Sequence, residues 1–572
     1  MKKDSLGIEA LNHNNKLITN ASDKAEALSE QYKSVFAEEN KEDLPHILPS
    51  PYPDMKNIEI TEKGVLKRLE DLDVNKSTGP DGLSPILLKM LAPVISQTLT
   101  EIFQQSLRQS TQPSDWLIQF VSPIFKPGKD KLEPSSYRPI SLTSVCCKIL
   151  EHIIYSETMQ HLENNNILSK LQHGYRRGCS TETQLLKVIQ YLSKNLENCA
   201  QTDIISLDFS KAFDVVPHSR LLLKMNYYGV RNILPWIKSF LTNRKQTVII
   251  DGVHSSYVHV KSGLPQGTVL AGLLFLIFIN DLPSSVTSSF TGVFCDDTLL
   301  AKEILSQNDA IDLQNDLDKV HEWTKIWGMS FNVVKCVQMT VSNKIKNLPT
   351  KYFLENKELY KNDVIKYLGI FIDKKLTFKQ HIEEKSKRAT TVLNMLRRNL
   401  HFAPKSVKTK AFQSCVLPIV EYGSTCWAPT SSKLNKKLEM VVHNGAKFVT
   451  NKYPKKGNYD DYSITKILKD LNWKTLEQRR MKARTIMAYN ILNNNVILEP
   501  TLLPKVTSER PERNCKGITV GRENQLVEPQ ARLDIVRSTF FYATPTLWNQ
   551  NITPRLAKSV NVETFKRNFS KH

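Results

Sequence analysis

In the stretch VFCDDTLLA, Val293 to Ala301, two adjacent aspartates follow residues that would ordinarily be buried in a sheet. A buried charge is costly unless it is paired or holds a metal, so Asp296 and Asp297 require a counter-charge. On their own they fit two readings equally: ordinary turn aspartates at a hairpin tip, or ligands of a divalent cation. Asp208, in IISLDFSKAFD, also ends a β-rich apolar run where the chain leaves a sheet. If the two strands are neighbours, their ends bring Asp208 and Asp296 to one point, with Asp297 beside them. Gathered carboxylates suit a hard cation such as Mg²⁺, which keeps some waters and takes substrate phosphates as further ligands. Two such ions about 3.5–4 Å apart activate an attacking 3′-hydroxyl and stabilise leaving pyrophosphate, which is nucleotidyl transfer.

The surrounding pattern supplies elements able to position these groups. TDIISLDFSKAFDVV begins as a buried β-branched strand, and GVFCDDTLLAKEI reads as a hairpin with the aspartates at its tip. RKQTVIIDGVHSSYVHV reads as two strands around Asp251-Gly252, a strong two-residue hairpin signal. Upstream, Ser84 caps and Pro85 opens a helix running to Gln109. IQFVSPIFKPGKD follows as strand and turn, and SYRPISLTSVCCKILEHIIYSETMQHLENN as a loop feeding a long helix. Helix is expected again in NDAIDLQNDLDKVHEWTKIWG, then short strands in KCVQMTVS, KYFLENKELY and IKYLGIFID. From Phe378 onward the pattern is mostly helical and basic.

The 572 residues allow about three to five structural units. A formal net charge of +21 favours a polyanion as partner, with a merely soluble basic protein as the bland alternative. The longest apolar run, VLAGLLFLIFI, falls short of the roughly 20 residues of a membrane span, so no membrane partner is expected. Nine cysteines show neither a C-x-x-C pair nor zinc-like histidine spacing, and are read as free thiols. The N-terminus lacks the hydrophobic core of a signal peptide.

In order, SLDFSKAFDVVPHSRLL, SGLPQGTVLAGLLFLIFINDLP, FCDDTLLA, FNVVKC and YLGIFID resemble the palm motifs of the reverse transcriptases of non-LTR (LINE-type, jockey-like) retrotransposons. NKSTGPDGLSPILLK, PIFKPGKD, YRPISLTSVCCKILE and QHGYRRGCSTETQL resemble the finger motifs of that family, and SCVLPIVEYGSTCWAP and TPTLWNQNITPRLAKSVNVETFKRNF its downstream segments. The resemblance extends over about residues 15–570, and the number and order of motifs make chance agreement implausible. It implies an α+β right-hand polymerase with an antiparallel palm sheet and a helical basic C-terminal region. A polar lead-in and Pro-rich linker at 1–55 would precede fingers at 56–200, palm at 201–375, thumb at 376–450 and a C-terminal basic region at 451–572.

The same resemblance assigns roles. Asp208, Asp296 and Asp297 are implied metal ligands for two Mg²⁺ ions, with Mn²⁺ as an alternative, Asp297 acting directly or less directly. Lys335 is the implied proton donor to pyrophosphate. Lys126 and Arg138 match positions that grip the triphosphate, where a guanidinium fork pairs two oxygens. Phe213, five residues past Asp208, lies where a ring would collide with a 2′-hydroxyl and so select dNTPs; otherwise it is a core aromatic. Gly263, Pro265, Gln266 and Gly267 form a loop whose glycines allow close backbone approach to a base pair, with Gln266 bonding nucleotide or template. Asp214 and His218 are read as structural. Arg176 and Arg177 are template or nucleotide contacts, or a solvated loop. Tyr367, Leu368 and Gly369 begin a segment similar to the primer-gripping hairpin. Basic and aromatic residues past 450, among them Trp473 and Trp548, suit RNA binding or a core equally.

Three departures from the family pattern stand out: Cys295 before the aspartate pair, Ala271-Gly272 in place of Gly-Pro, and FNVVKC without its usual Pro-Ser. Cys295 adds bulk and a possible sensitivity to thiol oxidation. The expected partners are an RNA template, a DNA primer or target DNA, and dNTPs, with action in the nucleus or cytoplasm. The first 55 residues are too short for the endonuclease such elements carry, so separate target cutting is expected. The alternative is a catalytically inactive, element-derived nucleic-acid-binding protein; an RNA-dependent RNA polymerase is disfavoured by Phe213.

Overall fold

The computed structural model describes residues 7–39, 44–452, 463–505 and 524–569. KYPKKGN, apart from Lys452, lies outside them. The chain forms two compact units, one built from Met1–Tyr175, Phe209–Val286 and Asp318–Asn332, the other from Arg176–Asp208, Thr287–Leu317 and Val333–His572.

The first unit holds a sheet in which Ile118–Phe125 pairs antiparallel with Tyr137–Leu142 and parallel with Lys245–Ile250. Tyr137–Leu142 is therefore a strand, where the sequence reads as a loop feeding the helix that follows. Pro139 sits opposite Pro123, and two facing prolines fit a pair that exchanges no N–H across the ladder. The hairpin at Asp251-Gly252 forms as expected, both residues at positive φ (50° and 83°). The lead-in is part of this unit. Leu11–His13 and Lys16–Ile18 pair, and helix Ala21–Lys33, capped by Asn20, packs Ala25, Leu28 and Tyr32 against Val121, Tyr137, Val248 and Ile250.

The helix opened by Ser84 and Pro85 does not run unbroken. It stops at Met90 and restarts as Ala92–Gln109, because Pro93 lacks the N–H that would continue the ladder and its ring crowds the preceding turn. The apolar run becomes helix Leu270–Ile279, buried on nearly every face, with the buried Glu151 carboxylate accepting the N–H groups of Val269 and Leu270 at 2.8 and 3.1 Å. No helix among the described residues is long and apolar enough to cross a membrane.

The second unit is built on a five-stranded sheet ordered Tyr360–Lys361, Val337–Val341, Gln201–Leu207, Asp297–Ile304, Phe290–Phe294. Its central strand, Gln201–Leu207, is antiparallel to both neighbours. Helix Thr181–Glu197 contributes Leu185, Ile189 and Leu192 to the core beneath. Val364–Tyr367 and Ile370–Asp373 form a hairpin turned at Leu368 and Gly369, with φ of 44° and 81°. The helices after Phe378 share this core. Trp473 stacks on Phe412 at 4.8 Å and Trp548 is buried against Phe565, so these two tryptophans are packing residues. In LEQRRMKART, Arg480 lies over the Trp427 ring and Arg484 donates to the Thr425 and Ser538 carbonyls, both arginines being buried. The eight described cysteines are all free.

Candidate active site

In the second unit three strand ends gather the carboxylates. Phe294 pairs with Asp297 across a two-residue turn made by Cys295 and Asp296, so the aspartates do sit at a hairpin tip. Thr298 pairs with Leu207, and continuing that antiparallel register by one residue sets Asp297 opposite Asp208. On the other side Val337 pairs with Ser206, which aligns Lys335 with Asp208 in the same way. The Lys335 ammonium donates to Asp208 Oδ2 at 2.7 Å, and the Asp208 N–H donates to Cys336 Sγ at 3.4 Å.

The electrostatics follow from crowding. Partial loss of solvent at the hairpin tip, where Asp297 itself remains exposed, then the negative charges of Asp296 and Asp208, push the Asp297 carboxyl up to about 6. Hard carboxylate oxygens repelling one another in this way are a donor set that a divalent cation would relieve. Among the described residues, no three His, Cys, Asp or Glu side chains are closed tightly enough to enclose an ion unaided. Lys335 supplies the counter-charge of Asp208 in this arrangement. Cys295 occupies the first turn position at φ 58°, in the left-handed region that L side chains rarely adopt.

The first unit holds Lys126, Arg138, Phe213 and the GLPQG loop, and the second holds Arg176, Arg177 and the segment from Tyr367 to Gly369. Phe213 is half-buried, stacked on Phe275 at 4.5 Å and met edge-on by Tyr175 at 6.4 Å. Tyr175 had no part in the expected site, yet it explains the glycine at 272: a Cβ there would stand 2.7 Å from its ring. The only sequence hint was its place in the QHGYRRG motif. Gln266 donates to Asp214 Oδ1 at 2.7 Å, and its own carbonyl accepts from the Ser141 N–H at 2.6 Å. The glycines of GLPQG serve approach to the protein's own backbone. At Gly263, φ 84°, a Cβ would lie 2.4 Å from the Asp214 carbonyl, and at Gly267, φ 112°, 2.8 Å from that of Ser141. His218 Nε2 bonds the Gly263 carbonyl at 2.8 Å, in keeping with a structural task. Arg138 is exposed opposite Ile124, and Lys126 follows Ile124 by two, so both cations share one face of the sheet. Lys126 Nζ donates to the Ser135 carbonyl at 2.9 Å.

Two expectations need correction. Arg176 is buried, so only Arg177 of that pair is exposed for contact. Tyr367 is 2% exposed, and its hydroxyl accepts from Gln184 at 3.2 Å. The strand's inward register directs that ring into the core, leaving the half-exposed Leu368-Gly369 turn, held by Tyr422 Oη on the Leu368 carbonyl at 2.9 Å.

Residues 124–372 match the family model for reverse transcriptase (RNA-dependent DNA polymerase). The chain is 27% identical over 487 residues to the probable RNA-directed DNA polymerase from transposon BS of Drosophila melanogaster, covering 82% of this chain and 52% of that protein. It is 29% identical over 393 residues to the RNA-directed DNA polymerase from mobile element jockey of the same fly, covering 66% and 42%. The corresponding protein of Drosophila funebris is 31% identical over 376 residues, covering 64% and 41%. The chain thus spans about half or less of the length of these curated relatives.

Proposed function

We propose that this chain, which carries the reverse transcriptase domain of the non-LTR retrotransposon polymerases, is an RNA-directed DNA polymerase that extends a primer 3′-hydroxyl with dNTPs on an RNA template. The observation that carries the reading is the register that aligns Asp208 with Asp297, next to Asp296, at the ends of neighbouring strands. Two divalent cations, magnesium in this reading, would be held by Asp208, Asp296 and Asp297 and would supply activation of the 3′-hydroxyl and neutralisation of the leaving pyrophosphate.

The chain's own residues do the rest. Lys335 holds a proton at Nζ beside Asp208 and is the donor for the departing pyrophosphate. Phe213, fixed by Phe275 and Tyr175, excludes a 2′-hydroxyl by bulk. Gln266, its amide N–H committed to Asp214, presents its side-chain oxygen to a nucleotide or template donor. Lys126 and Arg138 bind triphosphate oxygens. The basic helix Lys379–Asn399 holds the hybrid by its phosphates and shape.

The test is extension of a DNA primer on an RNA template by the purified chain with dNTPs and Mg²⁺, beside the Asp296→Ala, Asp297→Ala double variant. Synthesis by the wild type, with a loss of about a thousandfold or more in the variant, is expected if the carboxylates position the metals. A folded wild type that binds RNA and makes no DNA would replace this reading with that of an element-derived binding protein.

A further inference from the structure

The segment after helix Ala21–Lys33 reaches the back of the GLPQG loop, and one chain of its contacts leads through Ser262 to Asp214. The Ala37 N–H donates to Ser262 Oγ at 2.8 Å, and that hydroxyl donates to the Asp214 carbonyl at 3.0 Å. The Asp214 carboxylate in turn accepts from Gln266 Nε2 at 2.7 Å. Two residues beyond Ala37, the Glu39 carboxylate accepts the N–H groups of Ser219 and Arg220 at 3.0 and 3.2 Å, tying the same segment to the start of helix His218–Tyr227.

Between helix and loop lies a cavity of about 40 Å³, lined among others by Tyr32, Gln246, Ser262, Asp214 and Gln266. That volume admits a water or two. Tyr32 Oη and Gln246 Nε2 are buried there without a hydrogen-bond partner among the described residues, and both residues are only 5% exposed. Two buried donors lining one small cavity point to a bridged network, since leaving them unmet is costly.

We infer that residues 21–39 are a brace for the GLPQG loop, and that Tyr32 in this segment and Ser262, which receives it just before the loop, are positioning residues that hold the Asp214–Gln266 pair in its working geometry. The inference rests on the reading of Gln266 as a nucleotide or template contact. Neither residue touches substrate: Ser262 acts through its hydrogen bond to the Asp214 carbonyl, and Tyr32 through the cavity it shares with Asp214 and Gln266.

Steady-state dNTP incorporation by the full chain tests it, with Ser262→Ala, Tyr32→Phe and Gln266→Ala measured beside thermal melts. Tyr32→Phe keeps the ring and removes only the hydroxyl. Ser262→Ala and Tyr32→Phe are expected to raise KM for dNTP by about three- to tenfold while kcat moves by less than about twofold. Ser262→Thr, which keeps a hydroxyl, is expected to restore KM. In a Gln266→Ala background Ser262→Ala adds nothing further, because the two act in one chain of contacts. If Gln266→Ala leaves KM unchanged, the assignment of Gln266 fails and the brace loses its purpose. If Gln266→Ala raises KM while Ser262→Ala and Tyr32→Phe alter only the melting temperature, the brace alone is overturned.

Discussion

Phe213 shows how much a single side chain owes to its neighbours. Its ring lies nearly parallel to Phe275, at 17°, with the half-exposed Tyr175 across its edge. Exclusion by bulk requires the ring to be held in place, since a ring free to swing would admit a ribose. Phe213→Ala is expected to lower discrimination between dNTP and NTP by about tenfold or more in single-nucleotide insertion. Discrimination left intact would show that bulk at Phe213 is not the selector. Cys295 illustrates the opposite case. Burial, with Asp296 next, pushes its thiol well above the ordinary range. A thiol that stays protonated and buried is a poor target for oxidants, so the sensitivity expected from its type does not follow from its setting.

At the scale of elements, the hairpin bearing the aspartates is anchored at its entry. Thr287, Ser288 and Ser289, which lead into strand Phe290–Phe294, each give a backbone N–H and a hydroxyl to Asp316, all at 2.8–3.0 Å. Asp316 belongs to helix Gln307–Trp327 and is 1% exposed. Burial alone would raise its carboxyl, but these hydrogen bonds outweigh it and hold the group well below the usual carboxylate range. A carboxyl depressed on folding contributes stability that is complete above its unfolded value of about 3.9 and is lost as pH falls below it. Asp316→Ala is expected to cost about 3 kcal/mol at neutral pH in denaturant unfolding. The gap between variant and wild type should narrow below about pH 4. A gap that stays constant with pH would mean that the clamp contributes through shape and not through its charge.

For the whole molecule the net charge of +21 is the dominant fact. Binding of an RNA–DNA hybrid is expected to fall steeply with salt, by about 10³–10⁵ between 50 and 200 mM if six to ten phosphates are neutralised. Fluorescence anisotropy across a salt series measures it, and the Asp296→Ala, Asp297→Ala variant should bind at least as well, having lost two negative charges. A flat salt dependence would show that the cationic surface does not carry the binding. The charge enters here as a property of surface helices, because Arg480 and Arg484, which the sequence counts equally, are spent on buried carbonyls and rings.

What the residues determined by themselves was local. The apolar runs around Asp296-Asp297 and the β-branched run before Asp208 foretold two strands ending in carboxylates, because strand and turn chemistry act over a few residues. The Asp251-Gly252 hairpin, the buried apolar helix and the motif order were legible for the same reason. Only the tertiary structure decided which strand ends meet, since the pairing of Leu207 with Thr298 spans some 90 residues and is chosen by packing. It likewise turned Tyr367 and Arg176 inward, made Trp548 a core residue, packed the half-buried Trp473 against that core, and drew the lead-in helix into the first unit. Each of these outcomes depends on which surface covers which, a property of distant partners that no local pattern encodes.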